Sequence, residues 1–298
     1  MSKYKIIKRG DEGYPSALKH IEKPPEQLFY QGDLSVLSKP CVAVVGARRA
    51  TDYGRWAALN LARKLSERGV VVVSGMAEGI DSFAHRGALE GSTPTVAVMG
   101  NGLDICFPTM NEALRGRIAG NGLLLSEYED GTHGTRFTFP ARNRIISGLC
   151  LATVVVEAGL SSGSLITADH ASSQGRSVYA IPGNINRKLS VGCNKLIKDG
   201  ALPLVFFDDI LDDLGLRPRV LVRPGRPDSP PAPAMPGELG NDEILVLGAV
   251  CDNGSLTMDD VAVITGLAVP IVASVVTLLE MKGFVHFDQG RIIPANVE

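Results

Sequence analysis

The hydrophobic residues of this chain form short, nearly continuous runs that alternate with stretches of helical periodicity. From Arg55 to Arg68, apolar residues recur with the period of an α-helix. Seven runs rich in Val, Ile, Leu and Ala predict buried strands at 41–45, 70–74, 95–99, 122–126, 152–157, 177–181 and about 203–206. Such strands, separated by helices, are typical of a mostly parallel sheet covered on both faces. The sequence therefore predicts an extended Rossmann-like α/β domain at 39–214, whose ligands bind at the carboxyl ends of the strands.

The segment before this domain and the segment after it have different patterns. Residues 1–38 contain a Pro-Pro turn and a short strand-like run at 28–30, and we interpret them as an N-terminal strap packed across the main domain. Residues 215–240 are rich in Pro and Gly and lack periodicity, which predicts a semi-rigid linker.

Residues 241–298 predict three helices followed by a hairpin with Gln289-Gly290 at its tip. Asn241 or Asp242 is expected to cap the first helix, and Pro270 to be the first residue of the third. This order of elements is that of a small winged helix-turn-helix domain.

Composition and charge narrow the classes of function. The apolar runs are broken by Gly, Pro or charge, and the N-terminus lacks a long apolar core, so neither a membrane span nor a signal peptide is predicted. The five cysteines are scattered without CxxC spacing, which favours reduced thiols in a cytoplasm and argues against a zinc site. The net charge is −2, but residues 241–298 carry −6 and the remainder +4. Any anion-binding role is therefore expected of the main domain.

The loop after the first predicted strand is the first candidate for chemistry. Gly46-Ala47-Arg48 ends the run at 41–45 and precedes a predicted helix. A strand, a glycine turn and a helix N-terminus can form a phosphate cradle, because the helix offers free N–H groups and partial positive charge. Arg48 adds a charged fork of donors suited to phosphate oxygens.

Loops after later strands add further candidates at the same edge of the sheet. The second strand is followed by Ser74-Gly75 and, a few residues later, by Gly79. These glycines allow a ligand to approach the backbone closely, and the Ser74 hydroxyl can donate a hydrogen bond to an oxygen of the ligand. Asp81 is interpreted as a helix N-cap, and His85 as a packed structural histidine. Gly163 and Ser164 lie where another helix N-terminus would present amides to a phosphate. Lys195 could close the pocket or be an ordinary surface lysine.

The segment after the fourth strand combines positive charge with aromatic rings. Phe139-Pro140 precedes a predicted helix carrying Arg142, Asn143 and Arg144, and a single strand of nucleic acid needs both charge for its backbone and a ring for base stacking. Residues two apart on a helix do not share a face, so one arginine is expected to reach the ligand and the other to brace the loop. Phe139, Arg136 and Phe137 are weaker candidates, because a loop phenylalanine is more often part of the core.

Several common motifs are absent from the sequence. No GxGxxG follows the first strand, no GxxxxGK[ST] occurs and no nucleophile elbow is found, which argues against a nicotinamide dehydrogenase, a Walker-type ATPase and a serine hydrolase. No catalytic residue, cofactor or metal is assigned.

Five motifs in order resemble the DNA-processing protein A (DprA/Smf) family. They are VAVVGAR, SGMAEGIDSFAHRGAL, FPARNRIISGL, VVVEAGLSSGSLITA and IPGNIN followed by GCNKLIKDGA, within about Tyr14 to Phe206. The resemblance implies a cytoplasmic, non-enzymatic protein that binds single-stranded DNA, forms a homodimer through its Rossmann-like domain and loads the RecA recombinase during natural transformation. It places the binding pocket at Gly46, Arg48, Ser74, Gly75, the segment Phe139 to Arg144, Gly163, Ser164 and Lys195.

Two features depart from many members of that family. Many begin with a small helical domain, whereas here only residues 1–38 precede the first predicted strand, so we expect that domain to be absent or trimmed. The third helix of the tail has one lysine, at its very end, although a helix that reads duplex DNA needs Arg, Lys, Asn or Gln facing the groove. We therefore expect the acidic tail to bind a protein, or the basic surface of the main domain.

Two other functions stay open. A nucleotide phosphoribohydrolase resembling lysine-decarboxylase-like proteins also has a Gly-rich loop after strand five, but here Glu157 precedes that loop and no glutamate follows it. A transcription regulator with a ligand-sensing Rossmann domain fits the tail fold but not its acidity.

Overall fold

The computed structural model describes residues 4–216, 240–288 and 290–294. The chain divides into two compact units, Met1–Val220 and Leu221–Glu298, and each is described by itself. Most of the predicted linker, residues 217–239, lies outside the described residues.

The first unit is built on a nine-stranded sheet. In chain order its strands are β1 (Lys5–Lys8), β2 (Gln27–Gly32), β3 (Cys41–Val45), β4 (Val71–Ser74), β5 (Thr95–Met99), β6 (Leu123–Ser126), β7 (Ala152–Val155), β8 (Ser177–Ala180) and β9 (Leu202–Pro203). Their order across the sheet is β1-β2-β6-β5-β4-β3-β7-β8-β9. The strands from β6 to β9 pair in parallel, whereas β1 and β2 are antiparallel at one edge.

Helices cover both faces of this sheet. They are α1 (Asp52–Glu67), α2 (Ile80–Glu90), α3 (Glu112–Asn121), α4 (Thr138–Gly148), α5 (Gly163–Ser173), α6 (Val191–Lys198) and α7 (Asp209–Asp213). Alternate residues of β3 enter opposite cores: Val42 and Val44 pack with the apolar side of α1, and Ala43 and Val45 pack with residues of α4 and α5. The predicted α/β domain, with a mostly parallel sheet covered by helices on both faces, is therefore confirmed. Strands buried on both faces form nearly continuous apolar runs, which is why the sequence pattern identified them.

The order of the strands creates a switch point beside β3. From β3 the chain adds β4, β5 and β6 on one side, and then crosses by α4 to β7 on the other side. The loops that follow β3 and β7 therefore diverge at the carboxyl ends of two neighbouring parallel strands. Open α/β sheets bind their ligands in this crevice.

The N-terminal segment differs from the expected strap. β1 pairs with β2, and β2 pairs antiparallel with β6, for example Phe29 with Ser126. Leu28 faces the core with Ile7, Tyr14 and Leu18. The strands β1 and β2 thus extend the sheet itself, whereas Leu18 and Ile21, which lie between them in the chain, pack beside Gly148 of α4.

Two other element boundaries also differ from the prediction. The last strand is only Leu202–Pro203, shorter than the predicted 203–206, because the Phe206 N–H donates to the Asp209 carboxylate at 2.9 Å and the chain turns into α7. Helix α4 begins at Thr138, so Phe139 and Pro140 lie inside its first turn. Proline is tolerated there because first-turn N–H groups have no partner within the helix.

The second unit contains three helices and a hairpin in the predicted order: α8 (Asn241–Asn253), α9 (Met258–Thr265), α10 (Val269–Met281), β10 (Val285–Asp288) and β11 (Arg291–Pro294). They enclose a small core that includes Val246, Val250, Val276 and Leu279. The assignment to the winged-helix class stays a prediction.

The cap of α8 is not Asn241 or Asp242 but Gly240, whose N–H donates to the Glu243 carboxylate at 2.7 Å. Pro270 is the second residue of α10, one position later than expected. Gln289, at the expected hairpin tip, is outside the described residues.

No single described helix is long and apolar enough to cross a membrane. The sharply bent pair Met258–Thr265 and Val269–Met281 meets the length and hydropathy criteria only when its two helices are taken together.

Candidate functional site

A cavity of about 790 Å³ opens at the switch point beside β3. Its walls come from the loops after β3, β4, β5, β7 and β8, from the first turn of α2, from the segment before α4, and from α4 and α5. The cavity is lined mainly by polar, aromatic and glycine residues. They include Gly46, Arg48, Arg49, Asp81, Phe107, Thr135, Arg136, Phe139, Arg142, Asn143, Ser161, Ser162, Gly163, Ser164 and Thr167. Four of these are arginines, so the cavity is suited to an anion.

The N-terminus of α1 is not the phosphate cradle that the sequence predicted. The Thr51 side chain caps it by accepting from the Gly54 N–H at 3.1 Å. The Glu157 carboxylate then accepts from the Thr51 N–H at 2.9 Å and from its hydroxyl at 2.5 Å. A buried carboxylate therefore already occupies the positive end of α1. Gly46 is needed for packing instead, because a Cβ there would lie 2.6 Å from Ile80 Cγ1.

The N-terminus of α5 faces the cavity without a side-chain cap. Ser162 is its N-cap residue, but its hydroxyl lies 2.8 Å from the Ser164 hydroxyl and bonds to no backbone N–H of the helix. Ser162, Gly163 and Ser164 all line the cavity. Amides and hydroxyls at the positive end of this helix can therefore hold a phosphate.

Arg48 lies exposed over the ring of Phe139, with its guanidinium carbon 5.5 Å from the ring centroid. Phe107 packs against the same ring at 5.5 Å between centroids. Gly100 and Gly134 allow this position, because a Cβ on Gly100 would lie 2.6 Å from Phe139 Cδ1 and one on Gly134 would also collide with the ring. The cavity thus combines a positive charge with an aromatic surface.

Arg142 is buried beneath the cavity, with only 4% of its surface exposed. Its Nη1 donates to the Gly75 carbonyl at 2.9 Å and to the Val98 carbonyl, and its Nε donates to Asn143 Oδ1 at 3.2 Å. Burial lowers the pKa of Arg142 to about 10, partly opposed by the charge of Asp81. The guanidinium therefore stays protonated at neutral pH and places a fixed positive charge under the cavity floor.

Asp81 is not the N-cap of α2, since that position belongs to Gly79. Its Oδ2 accepts from the N–H groups of Gly75 at 3.1 Å and Ala77 at 3.4 Å. Burial raises the pKa of Asp81, and the nearby Arg142 charge opposes this. Asp81 therefore holds the loop after β4 in place through these two hydrogen bonds, and its carboxylate lies near the positive charge of Arg142.

A model of the DNA recombination-mediator protein A family matches residues 5–215. The chain belongs to this family. One relative, the DNA processing protein DprA of Streptococcus pneumoniae, is 45% identical over 201 residues, which are 67% of this chain and 71% of the relative. The putative DNA processing protein DprA of Mycobacterium tuberculosis is 40% identical over 258 residues, 87% of this chain and 65% of the relative.

Two solved structures of the family share the fold of the first unit. The DprA structure from S. pneumoniae superposes with a TM-score of 0.69 at 43% identity, covering 71% of this chain and 74% of that one. The structure of DNA processing protein A from Helicobacter pylori, described for its unique single-stranded DNA binding mode, superposes with a TM-score of 0.65 at 33% identity, covering 71% of this chain and 95% of that one.

The structure brings together most of the family positions that the sequence singled out. Gly46, Arg48, Phe139, Arg142, Asn143, Gly163 and Ser164 all line one cavity. Asn143 joins two of its walls, because its Nδ2 donates to the Gly163 carbonyl at 3.1 Å.

Four predicted positions do not lie on the surface of this cavity. The buried Ser74 hydroxyl donates to the Val44 carbonyl at 2.7 Å, and Gly75 is enclosed between Arg142 and Asp81. Arg144 points elsewhere and braces the loop after β6 through Glu127 at 2.6 Å, as expected of one of the two arginines. Lys195 pairs with Asp199 at 2.6 Å and is not among the lining residues.

Sequence reasoning missed several residues that line the cavity, among them Arg49, Phe107 and Thr135. Arg49 follows Arg48 directly, and this pair of adjacent charges was a usable signal. Phe107 and Thr135 lie in irregular loops, and nothing in the sequence indicates that these loops fold back over β3.

Proposed function

We propose that the first unit binds single-stranded DNA in the switch-point cavity and passes it to the RecA recombinase. The observation that carries this proposal is the exposed Arg48 held over Phe139, opposite the uncapped N-terminus of α5. The family assignment as a DNA recombination mediator supports it. So does the binding of single-stranded DNA named for the H. pylori relative.

Each group in the cavity has a distinct role in this proposal. The amides and hydroxyls at the start of α5 hold one phosphate, and Arg48 holds a neighbouring one through its charged fork. A base stacks on the Phe139 ring, a contact that every base can make and that is therefore independent of sequence. Arg142 touches no ligand directly; its buried charge attracts the strand and its hydrogen bonds fix the floor.

A non-enzymatic role is part of the proposal. The Glu157 carboxylate is occupied by Thr51, and the Asp81 carboxylate by the amides of Gly75 and Ala77. Neither can act as the general acid–base group of a phosphoribohydrolase without abandoning these bonds.

We also infer a cytoplasmic homodimer that acts in natural transformation, formed through the first unit. Leu202, Val205 and Phe206 are 44%, 62% and 70% exposed at the β9 edge of the sheet. An open edge with exposed apolar residues favours pairing with a second copy. Two pockets on one strand would raise affinity through effective concentration.

The second unit is proposed to bind a protein or the basic surface of the first unit. Ile271, Leu278 and Met281 are exposed along α10. An apolar helix with few bases is poorly suited to a DNA groove. Binding of duplex DNA by residues 241–298 at physiological salt would contradict this.

The test is fluorescence anisotropy of labelled oligo-dT across a salt series. Phe139→Leu should weaken binding roughly 5- to 100-fold, the range of one lost base stack. Arg48→Gln should lower the salt slope by about 0.7, as expected for one phosphate contact.

Phe287→Leu and Arg63→Gln are the matched controls, because both side chains are exposed and neither lines the cavity. They should bind like the wild type. The proposal fails if single strands do not bind, or if each variant matches its control. RecA loading is then tested by filament assembly on the same oligonucleotide, which the Arg48 variant should slow.

A further inference from the structure

A second cavity, of about 440 Å³, adjoins the first across Arg48 and Arg49, which line both. It is formed by the start of α1, the first turns of α2 and the loop before α3. Its residues are Arg48, Arg49, Ala50, Arg55, Glu78, Gly79, Ser82, Phe83, Arg86, Met110 and Asn111. Four arginines face one glutamate here, so the lining side chains carry a net positive charge.

The aromatic ring of Phe83 contacts two of these arginines. The guanidinium carbon of Arg86 is 4.9 Å from the ring centroid and that of Arg55 is 5.8 Å. Packing on a ring holds the guanidinium plane while leaving its N–H donors available. Arg55 also contacts Asp52 at 3.4 Å, but the Asp52 side chain is fully exposed and such pairs contribute little.

These arginines differ from those that stabilise the fold. The N–H groups of Arg142 and Arg144 donate hydrogen bonds to backbone carbonyls and to a carboxylate. Within the described residues, no hydrogen bond or ion pair is found for Arg49 or Arg86, and both are exposed. Like charges placed together repel one another, and a bound anion would relieve this repulsion.

We propose that this second cavity binds the phosphates of the same single strand of nucleic acid as the strand leaves the first cavity over Arg48. The inference rests on the proposed function and extends it. Because Arg48 and Arg49 line both cavities, a strand that leaves the first cavity over these side chains enters the second. Guanidinium planes on Phe83 provide surfaces on which an unpaired base can stack, and a single strand presents unpaired bases along its whole length.

The test compares two lengths of oligo-dT with the full chain, about six and about twenty nucleotides, around the site sizes of known single-strand binders. The variant is Arg55→Gln/Arg86→Gln, because these two residues line only the second cavity and glutamine keeps helix propensity. The control is Arg63→Gln/Arg68→Gln, which changes the charge equally on exposed positions at the other end of α1 and just past it.

For the long oligonucleotide, the variant should lower the salt slope by about 1.4, or about 0.7 for each of two phosphates. For the short one it should match the control. Arg48→Gln should weaken both lengths.

Equal behaviour of the variant and its control on the long oligonucleotide would overturn the inference while leaving the proposed function intact. An equal loss of affinity for both lengths would also overturn it, because the two arginines would then act only through the long-range electrostatic field of the protein. Loss of RecA binding with unchanged oligonucleotide binding would assign the cavity to a protein partner. Failure of the wild type to bind either length would overturn the proposed function together with the inference.

Discussion

Replacing the buried Arg142 by methionine should cost the first unit about 3–5 kcal/mol of unfolding free energy, the usual result of removing one member of a buried charged network. The guanidinium donates to two backbone carbonyls and to Asn143, and bonds from charged donors are worth about 1.5–3 kcal/mol each. Methionine fills a similar volume but donates nothing, so it leaves the Gly75 and Val98 carbonyls and the Asp81 carboxylate without this partner.

The assay is urea unfolding followed by the fluorescence of Trp56, the single tryptophan, which lies on α1. With a urea m value of about 3 kcal/mol/M, the midpoint should fall by about 1 M or more. Arg142→Lys keeps the charge but cannot reach all three acceptors, and should lie between methionine and the wild type.

Arg136→Met is the matched control. Arg136 is exposed beside the cavity and contacts the exposed ring of Phe137 at 4.8 Å, so its loss should change stability by less than about 0.5 kcal/mol. The reasoning is refuted if Arg142→Met unfolds within about 1 kcal/mol of the wild type, since the network would then contribute no more than a surface contact.

Three further perturbations test the neighbouring structure. Glu157→Gln should lower the unfolding free energy by about 1–2 kcal/mol, because a charge bonded to Thr51 at the start of α1 is lost. Its affinity for oligo-dT should stay within about twofold of the wild type. Lost binding at unchanged stability would show that this carboxylate takes part in ligand binding. Burial lowers the pKa of His85 from 6.5 to about 3 in the folded chain. Between these two values the unfolded chain binds a proton at His85 and the folded chain does not, so the unfolding free energy falls as the pH drops below 6.5, by about 2 kcal/mol at pH 5. His85→Gln should flatten this dependence in urea titrations at pH 7 and 5, and parallel curves would contradict it. Gly75→Ala would place a Cβ 2.7 Å from Arg142 Nη2 and should cost about 1–3 kcal/mol, and an unchanged melting temperature would count against it.

The parallel core of the fold was predictable because it depends on local patterns. The run 41–45 is apolar at every position and the run 95–99 at every position after Thr95, and the observed strands have these bounds. The antiparallel edge was not predictable in the same way. β1 has only one buried residue in its four, and its place in the sheet is fixed by pairing with β2 and through it with β6, about 90 residues later in the chain.

Within the site, the sequence indicated which loops matter better than it indicated what each loop does. Gly46 and Gly163 both follow a strand and precede a helix, so by local pattern they are equivalent. What separates them is Glu157, which closes the N-terminus of α1 through a contact 106 residues away in sequence. Likewise, the spacing of Arg142 and Arg144 predicted opposite directions, but only the packed structure shows that Arg142 is the buried one.

The two helix termini differ in where the negative charge beside them comes from. At α1 a carboxylate supplies the negative charge from within the chain, and this ties the loop after β3 to the loop after β7. At α5 that charge is left to the ligand. Glu157 and Asp81 both accept hydrogen bonds from backbone N–H groups, so these two carboxylates are already bonded, whereas the cavity offers exposed cations and open amides. Exposed cations and open amides are the groups that bind a polyanion, which supports the proposed binding of a nucleic-acid backbone in this cavity.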